Sequence, residues 1–285
     1  MTWLRFITRA KQIERDRSAR YFVPGEQLDI EPILACRFLA EQSAVEIAPP
    51  VPVAAGDTPQ PGPLGNDPLT VACVWKTGGV YDRHDYVGRM ARAVARNLSH
   101  PHRFVCLTDA PDVPAGVERI PLLHKWPGFW PKVELHRPGL FTGPVIYLDL
   151  DTVICGPLDP IAAAIADHPL MCSWDMQHGW INSSFLAWNR DLSPVYTALA
   201  AAPLDIMKIY DGGGPWWGDQ GHLQVMLQDR RIAWEWVQEV VPTAVAWQPI
   251  PLRGRPAPPG TAVSMWYGNP KPHLVQTDWM RQHWC

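Results

Sequence analysis

The chain has 285 residues, 47% of them hydrophobic and 19% charged, with a formal net charge of -3. That supply of apolar side chains excludes a chain disordered throughout and suits one medium domain with a small appendage. No run approaches the ~18 apolar residues of a membrane span, and MTWLRFITRAKQ lacks the apolar stretch and small-residue cleavage site of a secretory leader, so a soluble, cytoplasmic protein is expected.

In chain order, residues 1–48 predict a small α+β accessory module. A strand over WLRFI is followed by a charged stretch, RAKQIERDRSAR, then YFVPGEQLDI, a helix over EPILACRFLAEQS with one apolar face, and a last strand at AVEIA. Residues 49–68 hold seven prolines and no aromatic residue, the composition of a semi-rigid linker. Residues 69–285 form the body. It opens with the apolar run TVACVWKTGG, a helix from Asp85 to Leu98, then HRFVCLTD, VERIPLL and PVIYLDLDTVI. Val-, Ile- and Leu-rich strands alternating with helical segments predict an α/β fold with a mixed, mostly parallel sheet flanked by helices. Ligands of such sheets bind beyond the carboxyl ends of the strands, where Lys76, Asp109, Asp149 and Asp151 would converge. Neither a G-x-G-x-x-G nor a P-loop is present. The six cysteines show no C-x-x-C pair, as in a protein with reduced, mostly buried thiols.

The densest chemical signal is PVIYLDLDTVICGPL. A spacing of two puts Asp149 and Asp151 on one face of an extended strand, from which both carboxylates can approach a divalent cation. Hard oxygen ligands of this kind suit Mg²⁺ or Mn²⁺ shared with a diphosphate. Fourteen of the fifteen tryptophans lie in the body. Most are expected in the core, but Trp216 and Trp217 follow a glycine run and precede GDQ, which suggests an acceptor-binding lid.

VIYLDLDTVICGPL, INSSFLAWN, GDQGHLQVML and YGNPKPH, in that order, resemble the GT-A fold glycosyltransferases of the glycogenin-like and lipopolysaccharide galactosyltransferase group over about residues 70–273. The resemblance implies transfer of a hexose or N-acetylhexosamine from a UDP-sugar with a retaining outcome. Asp149 and Asp151 would hold Mn²⁺ or Mg²⁺ on the diphosphate. Lys76, Thr77, Tyr81 and Asp109 would border the nucleoside, Lys132 the donor phosphates, and Asn182 and Ser183 the sugar pocket. Asp219 would bind sugar hydroxyls, Gln220 would sit near the anomeric carbon, and Lys271 would neutralise the leaving phosphate. Family members commonly carry a metal-binding His shortly before the Gly of the last motif, where this chain has Met265, Trp266 and Tyr267. The third ligand is then His273 or water. Asp175 and Asp211 remain as bases for an inverting course, and His178 as an acceptor contact.

The aromatic-PGE turn and the helix after it resemble a small module of tailed-bacteriophage proteins, which implies a phage-encoded enzyme of the host cytoplasm and a hydroxymethylated pyrimidine in DNA, such as 5-hydroxymethylcytosine, as acceptor. A bacterial surface-glycan transferase is the alternative. A non-catalytic sugar-nucleotide-binding module and a phosphoryl or nucleotidyl transferase are the other classes. The body carries 18 Lys and Arg against 19 Asp and Glu, so no global positive field draws it to nucleic acid.

Overall fold

A computed structural model describes residues 65, 67–174, 180–211, 217–266 and 268–285, together with the backbone of five strands nearer the N-terminus. Those strands are β1 (Thr2–Phe6), β2 (Ala10–Ile13), β3 (Ala19–Phe22), β4 (Gln27–Ile30) and β5 (Ala44–Glu46). β1 is the centre of an antiparallel sheet with β4 and β5, and β2 pairs with β3 across the charged stretch. The expected helix after Ile30 and nearly all of the proline-rich segment lie outside the described residues.

The chain sorts into two compact units, residues 1–60 with 197–233 and residues 61–196 with 234–285. The second is built on a seven-stranded sheet in the order β13-β11-β12-β9-β6-β7-β8. Its strands are β6 (Leu69–Trp75), β7 (His102–Thr108), β8 (Glu118–Pro121), β9 (Val145–Leu148), β11 (Leu170–Trp174), β12 (Ile181–Trp188) and β13 (Glu235–Trp236). β12 runs against both its neighbours, and the other pairings are parallel. β6 and β7 read as continuous apolar runs because both faces of their middle residues are covered: Val71, Ala72, Cys73, Val105, Cys106 and Leu107 have no exposure. Each buried Val or Leu side chain contributes about 1.5–3 kcal/mol.

Helix α1 (Tyr86–Asn97) follows β6 and buries Tyr86, Val87, Met90, Ala93 and Val94, one stripe at helical spacing. α2 (Asp159–Ala164) adds Ile161 to the same core. From β6 the chain passes to β7 and β8 on one side and then returns to lay β9 on the other. The sheet therefore has its switch point between β6 and β9, where α/β sheets bind their ligands.

A second, three-stranded sheet is joined to the end of β9 by residues 149–152. β10 (Val153–Ile154) pairs antiparallel with β15 (Val263–Met265), which lies parallel to β14 (Val245–Trp247). The approach is close enough to require glycine at 156, where an added Cβ would stand 2.5 Å from the Thr261 carbonyl oxygen. Trp266, Val153 and Met280, the last from helix α7 (Asp278–His283), form a small buried cluster behind it.

The other unit contains helices α4 (Pro203–Ile209) and α5 (Gly218–Asp229), and α3 (Ser193–Ala201) precedes them. The Gly218 N–H donates to the Tyr210 carbonyl at 2.9 Å, and the Tyr210 ring meets His222 edge-on. α6 (Val237–Val240) belongs to the sheet unit.

Candidate active site

The two aspartates emerge where β9 stops, at Leu148. The expectation that they share a face of extended strand is corrected here, because residues 149–152 turn. The Thr152 N–H donates to the Asp149 carbonyl at 3.0 Å and the Thr152 hydroxyl to the same oxygen at 2.8 Å. The Asp149 N–H is held by the Ser184 carbonyl at 2.9 Å, since antiparallel β12 brings its first residues beside the end of β9. A turn presents the carboxylates, and the hydroxyl of Thr152 closes it.

Each carboxylate has a lysine and a tyrosine. Lys271 forms an ion pair with Asp151 Oδ2, and the Tyr81 hydroxyl donates to the same oxygen at 3.1 Å. Tyr147 donates to Asp149 Oδ1, and the Lys132 ammonium stands 3.5 Å from that oxygen while donating to Ser183 Oγ at 2.8 Å. Burial, followed by the charge of Asp149, raises the Asp151 carboxyl above its ordinary range even though Lys271 and Tyr81 pull the other way. Burial first, and then the nearby Asp151 and Asp149, hold the Tyr81 phenol far above its usual value, so it stays a donor.

Lys132 projects from a 3₁₀ turn, Trp130–His136. Fully buried Glu134 anchors this turn by accepting the N–H groups of Leu123 at 2.7 Å and His124 at 2.9 Å. Asn182 is buried, but its side-chain oxygen accepts the Ser184 N–H at 2.9 Å, which ties it to its own strand.

Lys76 and Asp109, at the ends of adjacent β6 and β7, form an ion pair, and the Thr77 N–H donates to the other Asp109 oxygen at 2.8 Å. Burial opposes ionisation of Asp109, but these hydrogen bonds outweigh it and hold the carboxyl below its usual range. The following loop is closed by Asp82, which accepts the Gly78 N–H at 2.7 Å and the Trp75 indole N–H at 3.0 Å. Tyr81 on that loop links it to Asp151.

His273 is placed beside α1. Its Nδ1 lies 2.6 Å from the Tyr86 hydroxyl, and its ring stacks on His84 with centroids 4.2 Å apart. Burial, with His84 and Lys271 nearby, lowers its pKa, so it is neutral near pH 7. Among the described residues no three His, Cys, Asp or Glu side chains stand where they could together hold a metal ion. Met265, in the segment where the motif resemblance leads one to expect a histidine, is buried, with its sulfur 3.3 Å from Ser173 Oγ.

The donor set still fits a divalent cation shared with a diphosphate. Asp149 and Asp151 supply hard carboxylate oxygens, and the repulsion between them, which helps raise the Asp151 carboxyl, is the kind that a divalent cation relieves. The remaining oxygen ligands would come from the nucleotide and water.

Asp219 and Gln220 stand in the first turn of α5, in the other compact unit; Asp219 is buried, and Trp217, just ahead of the helix, is 46% exposed. Trp216, Asp175, His178 and Tyr267 lie outside the described residues.

Sequence reasoning did not single out Tyr147, Tyr86, His84 or Glu134. Tyr147 had a readable signal, since it precedes Asp149 by two positions on an alternating strand. The others are brought in by helix and loop packing. The described cysteines are all free, with Cys73, Cys106 and Cys172 buried, as expected.

No protein-family model and no curated protein sequence matches the chain. Solved structures do. The apo form of the glycosyltransferase GlyE from Streptococcus pneumoniae TIGR4 superposes with a TM-score of 0.51 at 14% identity, over 75% of this chain and 57% of GlyE. The galactosyltransferase LgtC, solved with donor and acceptor sugar analogs, gives a TM-score of 0.49 at 15% identity, over 71% of this chain and 88% of LgtC. The GlyE likeness, together with the seven-stranded, mostly parallel sheet, shows the GT-A type α/β fold that the motifs imply. No helix among the described residues is long and apolar enough to cross a membrane.

Proposed function

We propose that this chain is a nucleotide-sugar-dependent glycosyltransferase that moves a hexose or N-acetylhexosamine from a UDP-sugar to an acceptor hydroxyl, with retention, using Mn²⁺ or Mg²⁺. The observation that carries the reading is the placement of Asp149 and Asp151, each with its own lysine, at the switch point of a sheet shared with known glycosyltransferases.

A bound cation would supply electrostatic stabilisation of the departing diphosphate. The chain's own residues prepare for the same charge. Lys271 and Lys132 put two ammonium groups beside the carboxylate turn, and Tyr81 and Tyr147 fix the orientation of the carboxylates. Lysine heads of this kind stabilise negative charge developing on a leaving phosphate without a strong protein nucleophile. Lys76, Thr77, Tyr81 and Asp109 would border the nucleoside. Asn182 and Ser183 would face the sugar, and Asp219 and Gln220 would carry the sugar contacts that the GDQ resemblance implies.

The acceptor implied by the N-terminal resemblance is a hydroxymethylated pyrimidine in DNA, and the alternative is a bacterial surface glycan. The near balance of charge in residues 69–285 supplies no global positive field for DNA. Incubation with a panel of UDP-sugars, Mn²⁺ and both acceptor classes, read by mass, tests the proposal. One acceptor should gain the mass of one glycosyl residue, a sugar less one water, while UDP appears. Binding of UDP-sugar with neither transfer nor hydrolysis would mark a non-catalytic module, and release of sugar 1-phosphate with UMP added to the acceptor would mark a nucleotidyl transferase.

A further inference from the structure

We infer that Lys271 is a stand-in for the divalent cation at Asp151, neutralising that carboxylate until a cation arrives together with a diphosphate, to which the lysine then transfers. The inference rests on the function proposed above.

Lys271 reaches Asp151 from 120 positions away, carried there by the pairing of Val153 and Ile154 with Ser264 and Val263. The pair is largely withdrawn from water, with Asp151 6% and Lys271 17% exposed. Lys271 and the Tyr81 hydroxyl both sit on Oδ2 of Asp151, and the ammonium lies 5.6 Å from the centre of the Tyr81 ring. A cation that takes this oxygen must move the lysine.

Charge decides when it can. The formal charges of Asp149 and Asp151 against Lys132 and Lys271 sum to zero, so the group carries no net charge to draw a bare cation. A cation arriving alone would also leave the Lys271 ammonium without its partner in a poorly hydrated place, which is unfavourable. A diphosphate brought with the cation removes that penalty, because the displaced lysine gains a phosphate oxygen. The flexible stem and single compact charge of lysine allow the exchange, where the planar fork of an arginine would be pinned to one carboxylate. Cation and nucleotide should therefore bind with strong positive coupling, part of which resides in Lys271.

Mn²⁺ titrations followed by electron paramagnetic resonance, with and without UDP, test this on the full chain and on Lys271→Met and Lys132→Met. Wild type should bind Mn²⁺ poorly alone and about tenfold or more tighter with UDP, within the usual range of coupling. Lys271→Met should bind Mn²⁺ alone about tenfold tighter than wild type and gain less from UDP. Lys132→Met removes the same charge from beside Asp149 and should tighten Mn²⁺ clearly less. Equal tightening in both variants would reduce the effect to a general field and overturn the inference, as would a Lys271→Met variant that binds Mn²⁺ no better than wild type. Unfolding midpoints check that the variants fold, and Lys271→Gln repeats the measurement if the methionine variant does not. Wild type that binds no UDP in either condition overturns the proposed function and this inference with it.

Discussion

Two strand ends of the same sheet carry the same kind of residues in different surroundings. At the ends of β6 and β7, Lys76 and Asp109 pair in the open, 29% and 30% exposed. At the end of β9, buried Asp151 pairs with Lys271, which the segment after the second sheet brings over it. Water screens the first pair and leaves it worth about 0–1 kcal/mol. The second is poorly screened, so the charge on Asp151 is sensitive to every neighbour. A parallel sheet delivers polar residues to its carboxyl edge, and the covering segment decides which of them acquire chemistry.

The largest test of that difference is Asp151→Asn. It removes the more buried carboxylate while keeping the shape of the side chain, so UDP-sugar turnover should fall at least about 10²-fold, the scale on which single electrostatic groups act in active sites. The stabilisation of the folded chain by UDP with Mn²⁺, read as a rise in melting temperature, should shrink in parallel. Unchanged turnover and unchanged thermal shift would remove Asp151 from the site.

The two strand ends also differ in how legible they were. β6, β7 and β9 could be read from sequence because strands buried on both faces must be apolar throughout, and an aspartate directly after such a run stands out. Asp149, Asp151, Lys76 and Asp109 were placed at the strand ends this way, and Lys271 was singled out through the resemblance of its motif. Less legible was the contact between Lys271 and Asp151, because it depends on β10 and β15, strands of two and three residues that show no periodicity. The turn at 149–152 was missed for a related reason: alternation gives the same pattern for a strand and for the turn that ends it, and the hydroxyl of Thr152 decides between them. Glu134 looked like one more polar residue in WPKVEL, and only the fold of residues 121–125 over it shows two backbone N–H groups to be satisfied.

If the covering segment makes the difference, loosening it should turn the buried pair into something like the exposed one. Gly156→Val drives a branched side chain against the Thr261 carbonyl, where even a Cβ has only 2.5 Å. Overpacking of this kind costs about 1–3 kcal/mol. Chemical denaturation should show that loss, and UDP binding with Mn²⁺ should weaken because Lys271 is carried on the displaced segment. Gly116→Ala serves as the comparison: its added Cβ meets no atom within 4 Å, but a φ of +81° makes it cost backbone strain, so it should lower stability while leaving nucleotide binding unchanged.

The smallest effect belongs to the exposed pair. Asp109→Asn removes the partner of Lys76 but keeps an oxygen for the Thr77 N–H, so the loss of stability at neutral pH should be at most about 1 kcal/mol. Its pH dependence has a definite sign. The Asp109 carboxyl is held below its ordinary range in the folded chain, so its contribution is fully present above the unfolded value of about 3.9 and is lost as the pH falls through the lowered one. Wild type should therefore exceed the variant in stability at neutral pH, and the gap should close in acid. Salt should narrow it as well, since both groups face water. A gap that widened in acid, or one of several kcal/mol at high salt, would place Asp109 in a buried network like that of Asp151 and erase the distinction between the two strand ends.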